Sequence, residues 1–163
     1  MKISIIGTGL IGGSIALKLK EKNFTNFVYG IDQNEENLNK ALELNIIDEK
    51  ADFEAGIKNS DLIIISVPVD SAKKILPDVL DLINEKQVVM DVGSTKSGIV
   101  DSIKNHPNRK CFVAFHPMWG TENSGPKAML NFTDDQKTNK KIQLNILVEV
   151  IMKNNHSLNA ESH

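Results

Sequence analysis

The chain has 163 residues, 40% of them hydrophobic, which suits one domain with a sizeable core and leaves little room for a substantial second one. Nineteen basic and 21 acidic side chains are mixed along it for a net charge of −2, so it has no basic stripe and no nucleic-acid or membrane partner is expected. Met1 runs straight into a core strand instead of a signal segment, and no apolar run approaches the ~18 residues of a bilayer span, which points to the cytoplasm. Cys111 is the only cysteine, which excludes a disulfide framework or a thiolate cage within the chain; no metal is expected, and the thiol reads as a buried small hydrophobe beside Phe112.

In chain order, residues 2–6 form a short β-branched apolar run, and Gly7-Thr8-Gly9-Leu10-Ile11-Gly12 follows at once. Residues 10–20 then turn helical in pattern, and 27–31 predict a second strand that delivers Asp32, twenty positions beyond Gly12. This is the pattern of a dinucleotide site. The tight turn needs backbone angles that Gly7 reaches cheaply, a side chain at Gly9 would collide with a pyrophosphate, and Gly12 lets helix and strand lie close. The first helical turn, Leu10, Ile11 and Gly12, offers free N–H groups and a positive dipole end to phosphates. Asp32 is placed to accept from the adenosine ribose and to repel a 2′-phosphate. Gln33 and Asn34 supply no arginine to hold such a phosphate, so NAD is favoured over NADP.

Residues 34–44 read as a helix stopped at Asn45, and 46–58 as a polar connection holding a short strand or helical turn. The nearly continuous apolar run 61–67 suits a parallel strand covered on both faces and ended by Pro68. A helix is expected over 71–83, kinked or divided at Pro77, then a strand over 87–92, a helix over 95–104 and a last strand over 111–115. The alternation predicts an α/β fold, a doubly wound, mainly parallel, Rossmann-like sheet with ligands beyond the carboxyl ends of its strands. Residues 1–130 form that domain, and 131–163, rich in Asn and Lys, form a divergent tail.

The loops after 67, 92 and 115 should open on the cofactor side, where a serine, a histidine and a glutamate can meet. His106, His156 and His163 read as capped or surface residues, whereas His116 ends a central strand and is followed by a rigid proline. Ser94 equally suits an N-cap.

Taken together, the glycine motif, Val67-Pro68-Val69, Asp91-Val92-Gly93-Ser94-Thr95-Lys96 and His116-Pro117-Met118-Trp119-Gly120-Thr121-Glu122-Asn123-Ser124-Gly125 resemble the nicotinamide domain of the prephenate dehydrogenase family over residues 1–128. The resemblance implies NAD-dependent oxidative decarboxylation of prephenate to 4-hydroxyphenylpyruvate, in tyrosine biosynthesis. It makes His116 the base at the ring hydroxyl, gives Ser94 the task of holding histidine and substrate in register, and assigns Glu122 to gating and pocket polarity. Val67 and Pro68 fall on the cofactor side. It also implies a helical C-terminal domain, missing from these 163 residues, so impaired activity and a homodimer or separate helical partner chain are expected. The alternatives are arogenate dehydrogenase, another nicotinamide oxidoreductase such as a β-hydroxyacid dehydrogenase or imine reductase, and a non-catalytic NAD-binding module.

Overall fold

The computed structural model describes residues 1–93 and 97–114. Six parallel strands lie in the order β3-β2-β1-β4-β5-β6, formed by Lys2–Ile6 (β1), Phe27–Ile31 (β2), Glu49–Lys50 (β3), Leu62–Ile65 (β4), Val88–Asp91 (β5) and Phe112–Ala114 (β6). Five helices cross between them: Leu10–Glu21 (α1), Glu35–Glu43 (α2), Phe53–Lys58 (α3), Val69–Leu82 (α4) and Ser97–Ser102 (α5). The doubly wound arrangement expected from the alternation is what these residues form, because parallel neighbours require a crossover and each crossover covers a face.

Alternating side chains along each strand feed two cores, one per face. Ile3, Ile5, Leu62, Ile64, Val88 and Met90 pack with Ile15, Ala16 and Leu19 of α1 and Leu38 of α2. Ile6, Ile31, Ile63, Ile65 and Val89 pack with Ile57 of α3, Leu76 and Leu80 of α4 and Ile99 of α5. Continuous apolar runs such as 62–65 are therefore buried on both sides, as parallel strands require. Within β1 the polar exception is Ser4. The buried Ser4 hydroxyl donates to the Gly56 carbonyl at 2.7 Å and lies 2.7 Å from Ser60 Oγ, so the hydroxyl is satisfied inside the core.

Several boundaries differ from the sequence expectation, each for a local reason. Helix α2 begins after Asn34, whose side chain accepts from the Glu36 N–H at 2.9 Å and so caps it instead of joining it. The connection over 46–58 holds both a strand and a helix, β3 and α3, and is not uniformly polar: Ile46, Ile47 and Ile57 are buried. Asn45, at φ 55°, turns the chain out of α2 and sends the two isoleucines inward. Pro68 stands at the start of α4, so that helix opens at Val69, two residues before the expected start. Pro77 lies inside α4 without dividing it. The lost backbone bond costs about 3 kcal/mol, and burial of Ala72, Leu76, Val79 and Leu80 offsets it. Strands β4 and β5 are shorter than the apolar runs that contain them.

Cys111 ends a 3-10 turn, Pro107–Cys111, rather than opening β6, and it is buried as expected. Burial pushes its thiol pKa up; Lys110 pulls it down and Glu85 pushes it up, each more weakly, so the reactive thiolate is disfavoured. His106 caps that turn: its Nδ1 accepts from the Asn108 N–H at 3.1 Å and its Nε2 lies 3.1 Å from Asp81 Oδ1. Among the described residues no helix is long and apolar enough to cross a membrane, and no cluster of three or more His, Cys, Asp or Glu could hold a metal.

Candidate functional site

Parallel register brings the strand ends level. Ile6 pairs with Ile31 on one side and Ile65 on the other, and Ile65 pairs with Asp91, which in turn pairs with Ala114. Connections run in opposite directions from the β1–β4 pair, so the crevice of an open sheet falls above these two ends. The glycine turn and Ser66-Val67 occupy that place. Gly7 donates to the Ile31 carbonyl at 2.8 Å, and Ser66 donates to the Ile6 carbonyl at 2.7 Å, which ties the turn to both neighbouring strands.

The three glycines of the motif do different things. Gly7 has φ +94°, and a Cβ there would overlap the Ser66 carbonyl oxygen and lie 2.9 Å from Val67 Cγ1. Gly12 faces the Gly7 carbonyl oxygen, with Ile5 Cγ2 at 2.8 Å from where its Cβ would stand, so it seats α1 directly on β1 and the turn. Gly9 has ordinary backbone angles, and a Cβ there would meet none of the described residues within 4 Å. Packing among the described residues therefore gives no reason for a glycine at position 9. An incoming ligand does.

Gly9 is also the N-cap of α1. No side chain caps that end and no acidic residue stands in its first turn, so the N–H groups of Leu10 and Ile11 begin a helix whose positive end faces the open cradle. Both residues are half-buried, as is Val67 behind the turn, while Pro68 is exposed. Asp32 follows β2 and is half-buried against the turn. Its Oδ2 accepts from the Thr8 N–H at 2.8 Å and from the Thr8 hydroxyl at 3.0 Å, and its Oδ1 accepts from the Asn34 N–H at 2.9 Å. An uncapped helix terminus, a cradle that one methyl would fill and a carboxylate at its rim fit a dinucleotide: pyrophosphate over Gly9, ribose at Asp32.

Gly7, Gly9, Leu10, Ile11, Gly12, Asp32, Val67 and Pro68 thus gather around the ends of β1, β2 and β4. Ser94, His116 and Glu122, together with Phe115 and the tail, lie outside the described residues. Two participants are not singled out by motif reading. Thr8 is wholly buried with its hydroxyl on Asp32, and Asp91, the wholly buried end of β5, accepts from the Gly93 N–H at 3.2 Å through Oδ1. For Thr8 the one sequence signal is a hydrogen-bonding side chain between two glycines.

Comparison with known proteins agrees with this geometry. The family model for the prephenate dehydrogenase nucleotide-binding domain matches residues 15–159. Prephenate dehydrogenase of Bacillus subtilis is 38% identical over 150 residues, covering 85% of this chain and 40% of the relative. Cyclohexadienyl dehydrogenase of Zymomonas mobilis is 30% identical over 127 residues, covering 77% and 43%. The crystal structure of prephenate dehydrogenase from A. aeolicus, in complex with hydroxyphenyl propionate and NAD+, superposes with a TM-score of 0.73 at 32% identity, covering 92% of this chain and 56% of that one. The chain spans about two-fifths of the length of the curated relatives it matches. With a matched region of this extent and a nucleotide cradle of this form, the chain belongs to the prephenate dehydrogenase nucleotide-binding domain family.

Proposed function

We propose that this chain is the NAD-binding part of a prephenate dehydrogenase, which oxidatively decarboxylates prephenate to 4-hydroxyphenylpyruvate. The observation that carries the proposal is the Gly9 cradle, open to a ligand at the uncapped end of α1 and rimmed by Asp32, in a chain of this family. NAD, when bound, supplies the acceptor for the hydride that leaves the ring carbon bearing the hydroxyl. His116, as a neutral imidazole, takes the hydroxyl proton as the carbonyl forms. The new carbonyl draws electrons from the breaking carboxylate bond, carbon dioxide leaves, and the ring becomes aromatic as its oxygen takes the proton back from His116 to become the phenol hydroxyl. Ser94 holds imidazole and substrate in register, and Glu122 sets pocket polarity and access. The level ends of β5 and β6 support this assignment, since the sequence reaches Ser94 three residues after Asp91 and His116 two after Ala114.

Prephenate carries two carboxylates, and each charge-assisted bond to them contributes about 1.5–3 kcal/mol. We assign those cationic partners to a helical portion of the enzyme, in a homodimer or a partner chain, and expect residues 1–163 assayed alone to bind substrate weakly and turn it over slowly. The proposed compartment is the cytoplasm, in keeping with a single, buried thiol at Cys111.

The test is NADH absorbance on mixing the purified chain with NAD and prephenate, with arogenate in parallel because one relative is named a cyclohexadienyl dehydrogenase. Turnover that disappears in His116→Asn is the expected result, with a rate that falls as acid protonates the imidazole. A pH profile flat down to about 5 removes His116 from the base role. NAD binding without turnover of either substrate leaves a binding module.

Selectivity is a separate expectation. Asp32→Asn keeps an oxygen for the Thr8 N–H while removing the charge that repels a 2′-phosphate, so the preference for NAD over NADP should fall at least about tenfold in calorimetric titration. Asp32→Ala should lose the preference too and also melt lower, because the buried Thr8 is left without its acceptor at a cost of about 1–3 kcal/mol. An unchanged preference in both variants contradicts this account.

A further inference from the structure

A carboxylate offers about four acceptor directions, two on each oxygen. Three of those on Asp32 are filled from within the protein. The Thr8 N–H and the Thr8 hydroxyl, at 2.8 and 3.0 Å, both reach Oδ2, and the Asn34 N–H, at 2.9 Å, takes one direction on Oδ1. Thr8 is wholly buried between Gly7 and Gly9, so its hydroxyl has no solvent to exchange with and stays on the carboxylate. What is left for a ligand is one acceptor direction, on Oδ1.

Resting on the reading of this cradle as a NAD site, we propose that Thr8 is a positioning residue that limits Asp32 to a single ribose hydroxyl. Oδ2 is occupied from the protein side, so the carboxylate does not span the 2′ and 3′ hydroxyls with one oxygen each. Oδ1 accepts one of them, and the other is left to solvent or to another group. Thr8 thereby does two things at once: it fixes the plane of the carboxylate against the glycine turn, and it sets how many hydroxyls that carboxylate can read. A valine at this position has nearly the same shape and keeps the backbone N–H bond to Oδ2, while its methyl in the hydroxyl's place removes one of the two bonds by which Thr8 holds the plane of the carboxylate.

The test is isothermal titration of the full chain with NAD, 2′-deoxy-NAD and 3′-deoxy-NAD, each against wild type, Thr8→Val and Thr8→Ser. For wild type, one deoxy analogue should bind about tenfold or more weakly and the other within about twofold of NAD, since only one hydroxyl meets a charged acceptor. Thr8→Ser retains the hydroxyl and should reproduce that asymmetry. In Thr8→Val the carboxylate, held by one bond fewer, can turn toward either hydroxyl, so the gap between the two analogues should narrow to within about threefold. Equal losses for both analogues in wild type, no loss for either, or a Thr8→Val variant that weakens all three ligands by one common factor overturns the proposal. Absence of NAD binding by the folded wild-type chain overturns the NAD reading itself and this inference with it.

Discussion

Gly9→Ala is expected to leave the melting temperature within about 2 °C of wild type while weakening NAD binding at least about a hundredfold. The stability half follows from open space. The backbone at position 9 is one any residue adopts, and a Cβ there meets none of the described residues within 4 Å. As an N-cap, alanine is poorer than glycine by about 0.5–1 kcal/mol, and restriction of the unfolded chain returns about 0.4–1 kcal/mol. The two nearly cancel. The affinity half follows from the same space: a methyl group would stand where the pyrophosphate must approach the first N–H groups of α1, and losing two charge-assisted bonds of about 1.5–3 kcal/mol each reaches a hundredfold or more. Thermal unfolding and calorimetry on one preparation check both halves. A marked loss of stability, or retained affinity, would show that this glycine serves the fold and not a ligand.

The opposite outcome is expected for Gly7→Ala. At φ +94° an L residue is strained by about 1–2 kcal/mol, and the added Cβ runs into the Ser66 carbonyl and lies 2.8 Å from its carbon. Ser66 cannot give way easily, because its N–H is held by the Ile6 carbonyl at 2.7 Å, at the end of a buried central strand. Overpacking against backbone adds about 1–3 kcal/mol. The total, about 2–5 kcal/mol, is a large share of a domain's usual margin and should lower the melting temperature by about 10 °C, with NAD affinity reduced as a consequence of the distorted turn. Scanning calorimetry of the variant checks this. A melting point matching wild type would mean that the turn adapts in a way these contacts do not allow.

Much of the fold was legible because the signals are local. The run 2–6 and the nearly continuous apolar segment 61–67 announce parallel strands through short-range pattern alone, and the structure keeps the first whole and the second over its core, Leu62–Ile65. Residues 46–58 were not legible in the same way. A two-residue strand, Glu49–Lys50, has no periodicity of its own and exists because β2 offers it an edge. Pro77 looked like a break because the local cost is plain in sequence, whereas the buried face that offsets it is not.

The order of residues by itself determined that this chain would wind a parallel sheet and present a glycine turn and an acid to a dinucleotide, since turn chemistry, strand patterning and the spacing from Gly12 to Asp32 all act within about twenty residues. Tertiary structure alone decided what each of those residues does. Three glycines look alike in a motif, yet Gly7 and Gly12 press on backbone and Gly9 on nothing; Thr8 reads as a spacer, yet it holds the carboxylate of a residue 24 positions away. The physical reason is that sterics and lone-pair occupancy depend on which atoms arrive from elsewhere in the chain, and that is fixed when β2 and β4 align beside β1.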